Sequence, residues 1–381
     1  MDRPVHALVL PPGRRLYRAL AAAVSGAGPA VCPVSPGLPA PALDALLTAL
    51  RPAKVITPDG ERTCDGVPAA AETAVLIATS GSTGDPKIVE LAAQALRHSA
   101  TATLRRLGAQ SGGRWLCCLP TSHIAGVQVL VRSLVAGTEP VIHERFDTAA
   151  VLRSGARHIA VVPTQLRRLV EAGGDLSAFQ TILLGGAAAP PELLSAARAA
   201  GGRIVTTYGM SETCGGCVYD GVPLDGVAAD VGADGRIRLA GPVLFSGYRL
   251  RPDLTAAVRQ GRWFVTHDLG VVDNGVLRVL GRADDVINTG GEKVVAGAVE
   301  RALAAHPAVK DIVVVGRPDA EWGERVTAVV VASGVPPTLE ELRRWARGRL
   351  PGHALPRELE LVATIPLLPS GKPDRARLRK G

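Results

Sequence analysis

Residues 74–90 read AVLIATSGSTGDPKIVE. Ala74 to Ala78 is a short apolar run containing Val and Ile, and it reads as a buried strand. The run stops at Thr79-Ser80-Gly81-Ser82-Thr83-Gly84, followed by Asp85-Pro86-Lys87. Two glycines let the backbone bend tightly, and the hydroxyls with the loop N–H groups can surround phosphate oxygens. Pro86 drives Asp85 toward an extended conformation and stiffens the exit, while Lys87 adds a mobile cation. The Gly-Lys-Ser/Thr ending of the Walker A loop is missing. A polar turn closing a core strand would use the same residues, so the stretch alone leaves both readings open.

Composition bounds the rest. A chain of 381 residues buries a sizeable core and is expected to form two domains or three subdomains. Hydrophobic residues make up 47% but aromatic ones only 3%, so Ala, Leu and Val must fill that core. No apolar run is long enough to span a bilayer, and the first residues, MDRPVHALVLPPGRR, lack a secretory pattern, so a cytoplasmic protein is expected. The net charge of +8 comes almost wholly from arginine, with lysine present only six times. The arginines are scattered and no basic run is interleaved with aromatics, which argues against nucleic acid as a partner. Of the six cysteines, Cys214 and Cys217 have redox or half-zinc spacing, but no second CxxC or nearby His pair completes a metal site. Small apolar fillers are the simpler reading for all six.

Along the chain, a helix is expected near Leu16–Ser25, then a Pro-rich crossing at Cys32–Pro36, a helix at 42–50 and a strand at 55–57. A helix is expected from Ala92 to Leu107. A strand at 115–119 leads into Pro120-Thr-Ser-His123, and an apolar helix at 127–135 carries Arg132. Residues 158–209 alternate strand and helix, the pattern of a parallel doubly wound sheet. Its later strands end in Gly185-Gly186-Ala187 and in Tyr208-Gly209-Met210-Ser211-Glu212. From 231 short strands with Gly turns suggest a β subdomain, with Asp268 on a turn. The charged segment 281–294 reads as a linker into a compact α+β region that ends in Pro369-Ser370-Gly371-Lys372. The expected class is therefore α/β: a large N-terminal domain with doubly wound sheets and a small β subdomain, plus a small α+β domain.

Taken in order, TSGSTGDPK (79–87), YGMSE (208–212), THD (266–268), GRADDVINTGGEKV (281–294) and PSGK (369–372) resemble the motifs of the adenylate-forming superfamily of acyl-CoA synthetases. The likeness covers nearly the whole chain from residue 73, with a lead-in shorter than is typical. PTSHIAGVQVLVRSLVAG (120–137), VVPTQLRRL (161–169), LLGGAAAP (183–190) and 208–226 narrow it toward the o-succinylbenzoate–CoA ligases of menaquinone biosynthesis, the actinobacterial type especially. Ile88 departs from the pattern, which usually carries Gly after the loop lysine.

The resemblance implies roles. ATP, Mg²⁺ and the co-substrate coenzyme A are expected, with an aromatic dicarboxylic acid as the substrate. Thr79, Ser80, Gly81, Ser82, Gly84 and Lys87 would hold the terminal phosphates, and Thr83 with Glu212 the metal. Gly185, Gly186, Ala187, Tyr208, Gly209 and Met210 would line the adenine, and Asp268 and Arg282 would take the ribose. Lys372 would bridge the acid and the α-phosphate. The acid would meet His123, Arg132, Thr164, Gln165 and Ser211, with Arg132 on its second carboxylate. Residues 1–281 would form the adenylation domain and 287–381 a mobile lid. The lid would turn about 282–286 at Asp284, so that Gly290 and Gly291 line the thiol's path. A ligase for another acid or for a carrier-protein thiol, a non-catalytic nucleotide-binding module, and a homodimer are all left open.

Overall fold

The computed structural model describes residues 2–80 (Ser80 as backbone only), 86–109, 112–367 and 373–380. Gly81, Ser82, Thr83, Gly84 and Lys372 thus lie outside the described residues. The chain separates into two compact units, one of Met1–Gly186, Ala197–Ala229 and Leu239–Phe264, the other of Ala187–Ala196, Asp230–Arg238 and Val265–Gly381.

The first unit holds two seven-stranded sheets. In one, Val5–Val9 pairs in parallel with Ala30–Val34 and with Lys54–Thr57, and Thr73–Ser80 lies parallel to Ala30–Val34. In the other, Trp115–Cys117, His158–Val161, Thr181–Leu184 and Ile204–Met210 run parallel in that order. Strands buried on both faces need continuous apolar runs, which these segments supply. Helices Arg14–Ser25, Ala93–Leu107 and Ile124–Val135 share one core with both sheets, through Leu16, Leu96, Leu104, Val127, Leu130, Val75, Val89 and Trp115. The doubly wound α/β expectation holds.

The second unit has its own core, in which Val299, Leu303, Val314, Val326, Ala328 and Leu342 meet. Val309–Asp319 and Gly323–Ala332 form its long antiparallel hairpin, and Glu358–Leu361 adds in parallel. Helix Leu339–Ala346 begins in a capping box in which Thr338 and Glu341 satisfy each other's backbone N–H groups.

Several local expectations change. The stretch after the 79–87 loop is a strand: Pro86–Ala92 returns antiparallel on Thr73–Ser80, with Thr79 opposite Lys87. Ile88, Val89 and Leu91 are buried, so packing holds this run extended, and Pro86 sits at its first residue, where a missing N–H is tolerated. The Pro-rich crossing is also a buried strand, Ala30–Val34. Tyr208-Gly209-Met210 extends its strand and is covered by Gly215–Tyr219 rather than forming a loop. Asp268 lies within the strand Trp263–Asp273, opposite Arg282, and the supposed turn is a bulge between Leu269 and Gly270. The 281–294 linker is ordered as the end of strand Val276–Arg282, a 3₁₀ turn Ala283–Asp285, and the hairpin Val286–Thr289/Glu292–Val295. Among the described residues no helix is long and apolar enough to cross a membrane.

Ile88 is a core residue of the first unit, 3% exposed and clustered with Val9, Val34 and Leu76. Ile88→Ala is expected to cost roughly 2–5 kcal/mol in urea unfolding. A loss below about 1 kcal/mol would mean that this strand is not packed as described.

Candidate functional site

The hairpin Thr73–Ser80/Pro86–Ala92 brings both ends of the 79–87 loop together. Thr79 Oγ1 donates to the Lys87 carbonyl at 3.1 Å, one rung before the Ser80–Pro86 pair that ends the described ladder. No helix begins directly after this loop, so anion binding there would rest on loop N–H groups, hydroxyls and Lys87 rather than on a helix N-terminus.

Glu212 reaches the same place by a different route. It sits on the 3₁₀ turn Ser211–Thr213, which follows strand Ile204–Met210. That turn closes tightly: Met210 N–H donates to Thr213 Oγ1 at 2.9 Å, and the Thr213 hydroxyl donates to the Gly215 carbonyl at 2.7 Å. A Cβ on Gly209 would fall 2.1 Å from the Gly215 oxygen, so the antiparallel return admits only glycine there. The Glu212 carbonyl accepts from Phe245 N–H at 2.8 Å, and its Oε1 accepts from the Tyr248 hydroxyl at 2.8 Å. Tyr248 is in turn paired across from Val89 on the strand leaving the loop, and Lys87 Nζ lies 6.0 Å from its ring centre. Burial, together with the Glu212 charge, raises the Tyr248 pKa, so its hydroxyl stays a donor. Among the described residues Glu212 Oε2 makes no hydrogen bond, which leaves a hard oxygen of the kind Mg²⁺ prefers.

Nearby glycines divide by cause. Gly186 has φ +84°, the left-handed region. Gly185 is bare because a Cβ would meet Thr207 Oγ1 at 2.5 Å, so strand packing alone demands it. Tyr208, Gly209 and Met210 lie on the adjoining strand, with Ser211 opening the turn beyond them. His123 precedes helix Ile124–Val135 and Thr164 lies in the first turn of helix Pro163–Glu171. Gln165 Oε1 is occupied by the Val162 N–H at 3.2 Å, leaving its NH₂ as the end available to a ligand.

Arg132 is not brought to this end. It lies nine residues beyond His123, about 13 Å along the helix at ~1.5 Å per residue. Its guanidinium sits 5.1 Å over the Trp115 ring, and burial lowers its pKa against the opposing pull of Tyr219, which hydrogen-bonds it. Nε and Nη1 find no acceptor among the described residues.

In the second unit Asp268 Oδ1 lies 3.4 Å from Arg282 Nη1, the neighbour that strand register imposes. Burial works to lower the Arg282 pKa, but the Asp284 hydrogen bond at 2.8 Å, with Asp268 and Asp285, outweighs it. Asp284 also faces His267 Nδ1 at 3.2 Å. Arg379 bonds the Asp284 carbonyl at 3.2 Å and Asp285 at 3.0 Å, while Arg375 pairs with Asp285 at 3.4 Å. The helix Arg375–Lys380, shortly after Lys372, is thereby fastened to 284–285. Gly290 and Gly291 form the two-residue turn of their hairpin with φ +59° and +83°, the geometry that a type I′ turn requires. Ala187 also belongs to this unit.

Cys32, Cys117, Cys118, Cys214 and Cys217 are buried as fillers, while Cys64 is half-buried. Burial pushes the Cys32, Cys117, Cys118 and Cys217 thiols up to about 12, and among the described residues no group of three or more ligands could hold a soft metal. Sequence reading missed Tyr248, one of only four tyrosines, whose signal was its place after Ser246-Gly247.

Comparison with known proteins fits this geometry. Residues 64–249 match the family described as AMP-binding enzyme, and 298–372 match the AMP-binding enzyme C-terminal domain. A probable 2-succinylbenzoate–CoA ligase of Mycobacterium tuberculosis is 45% identical over 362 residues, covering 89% of this chain and 93% of its own. The o-succinylbenzoate CoA synthetase of Bacillus subtilis is 28% identical, and its structure with the acyl-adenylate OSB-AMP superposes with a TM-score of 0.84 over 99% of this chain and 88% of that one. Its complex with ATP and a magnesium ion gives a TM-score of 0.85 over 99% and 89%. An amide bond synthetase from Marinactinospora thermotolerans is 27% identical, with a TM-score of 0.89 over 100% and 90%.

A buried guanidinium with no carboxylate partner among the described residues is expensive, and an apolar side chain of similar length often replaces such a group without loss. Arg132→Met is expected to leave the melting temperature unchanged or raised, and the KM for an aromatic diacid within about threefold. A rise of tenfold or more, confined to diacids, would return Arg132 to the substrate's second carboxylate.

Proposed function

The chain belongs to the AMP-binding enzyme family, and on that premise we propose that it joins o-succinylbenzoate to coenzyme A at the expense of ATP, giving o-succinylbenzoyl-CoA, AMP and pyrophosphate. The relative that is 45% identical along nearly its whole length is the observation that carries this reading. Attack of a carboxylate on ATP brings two anions together, so the site must offset that repulsion and hold the attacking oxygen in line with the α-phosphorus.

In this reading the 79–87 loop, with Lys87, receives the terminal phosphates. Glu212 and Thr83 would hold Mg²⁺, which supplies charge neutralisation at the phosphate oxygens. The oxygen donor set fits that ion. Gly185, Gly186, Ala187, Tyr208, Gly209 and Met210 border the adenine, and Asp268 with Arg282 orients the ribose. His123, Thr164, Gln165 and Ser211 form the acid pocket in this reading, and Arg132, packed over Trp115, is left out of it. Lys372 stabilises the charge that develops as acid oxygen and α-phosphate join. AMP is then the leaving group for attack by the coenzyme A thiol. Residues 1–281 act as the adenylation domain and 287–381 as a lid that turns at Asp284 within 282–286, exchanging Lys372 for Gly290-Gly291 between the two half-reactions. ATP and coenzyme A as co-substrates suit a cytoplasmic enzyme.

Pyrophosphate release, measured over a panel of acids with and without coenzyme A, tests this reading. Release is expected with o-succinylbenzoate and to be weak with a monoacid analogue. Equal release with the analogue would favour the broader class of acid-activating ligases, to which the amide bond synthetase likeness also points. Lys372→Ala is expected to slow adenylation by about 10²–10³-fold while leaving thioester formation from supplied acyl-adenylate largely intact. Equal loss in both half-reactions would remove Lys372 from this role.

A further inference from the structure

The segment Phe245–Arg249 touches both halves of the phosphate site within the first unit. On one side Phe245 N–H holds the Glu212 carbonyl, and the Tyr248 hydroxyl holds Glu212 Oε1 at 2.8 Å. On the other, Ser246 N–H donates to the Glu90 carbonyl at 2.9 Å and Arg249 N–H to the Ile88 carbonyl at 2.8 Å. Tyr248 itself is fixed from three directions. Its N–H donates to Thr255 Oγ1 at 2.9 Å, its ring packs 5.0 Å from Phe245, and its backbone pairs opposite Val89. A tyrosine so constrained has little freedom to move its hydroxyl away from Glu212.

We propose that Tyr248 is a positioning residue for the metal site: its hydroxyl holds one oxygen of Glu212, so that the other is presented to Mg²⁺. The proposal rests on the reading of Glu212 as a metal ligand. A carboxylate on a short turn can rotate about its side-chain torsions, and fixing one oxygen removes that freedom before the ion arrives. Outer hydrogen-bond partners of metal ligands commonly account for 10–100-fold in metal affinity. Lys87 lies two residues before Val89, the residue opposite Tyr248, and its Nζ is 6.0 Å from the Tyr248 ring centre.

The test is a Mg²⁺ titration of the binding of a fluorescent, non-hydrolysable ATP analogue by the full chain. Three variants are compared: Tyr248→Phe, Glu212→Gln and Phe245→Leu. Tyr248→Phe removes one oxygen and keeps both ring faces; it is expected to raise the Mg²⁺ concentration at half-saturation about tenfold. Melting temperature and nucleotide affinity at saturating Mg²⁺ should stay close to those of the parent protein. Glu212→Gln should shift the titration further. Phe245→Leu loosens the packing around Tyr248 but spares the hydroxyl, so it should lower the melting temperature without moving the Mg²⁺ curve. If Glu212→Gln shifts the curve and Tyr248→Phe does not, Tyr248 is a packing residue and the proposal falls while the metal assignment stands. If Phe245→Leu shifts the curve as far as Tyr248→Phe, loosening rather than the hydroxyl is the cause, and the proposal falls. If Glu212→Gln leaves the curve unmoved, the metal assignment itself is wrong.

Discussion

Everything proposed for the nucleotide site depends on one set of contacts, the double clamp of Phe245–Arg249. Glu212 and the 79–87 loop are far apart in sequence and come from different sheets. The intervening segment pairs with the loop's exit strand along one edge and hydrogen-bonds the Glu212 turn along the other. Two sheets that share an apolar core can slide by fractions of an ångström at little cost, because hydrophobic contact is not directional. Hydrogen bonds with fixed partners remove that freedom, and a metal site needs it removed.

The same constraint explains why the loop is a hairpin. In Walker-type sites a helix follows the loop and its N-terminus faces the anion. Here the chain turns back as a buried strand with Ile88, Val89 and Leu91 in the core. A strand can be paired on both edges, and this one is, by Thr73–Ser80 and by Gly247–Tyr248. A helix in that place could not have received the Phe245–Arg249 bracket. Ile88, which departs from the glycine usual after the loop lysine, is consistent with this: its side chain is absorbed by the core behind the loop rather than by the loop itself.

Much of this was legible in the sequence. Alternating apolar runs and helices gave away the parallel sheets, because strands covered on both faces and helices covered on one carry distinct periodicities. The motifs also singled out Glu212 and Lys87, which the fold sets on either side of Tyr248. What could not be read was pairing between distant segments. Pro86–Ala92 was not read as a strand, because it pairs on one edge across the loop with Thr73–Ser80 and on the other with a segment about 160 residues away, Gly247–Tyr248. Asp268 looked like a turn residue because Gly270 follows it, yet that glycine serves a bulge against Ile237 and not a chain reversal. The segment 281–294 looked like a linker from its charge, but three of those charges are paired: Arg282 with Asp284, and Asp285 with Arg375 and Arg379. Tyr248 was marked only by the Ser246-Gly247 before it, and its importance comes from what it touches.

The central claim is that the acid's own oxygen joins the α-phosphorus of ATP. Isotope transfer tests that bond directly. With ¹⁸O in the succinyl carboxylate of o-succinylbenzoate, a full turnover with ATP and coenzyme A should deliver one labelled oxygen into each AMP, read by mass spectrometry, with none in pyrophosphate. Label found in orthophosphate alongside ADP, or unlabelled AMP, would contradict the account.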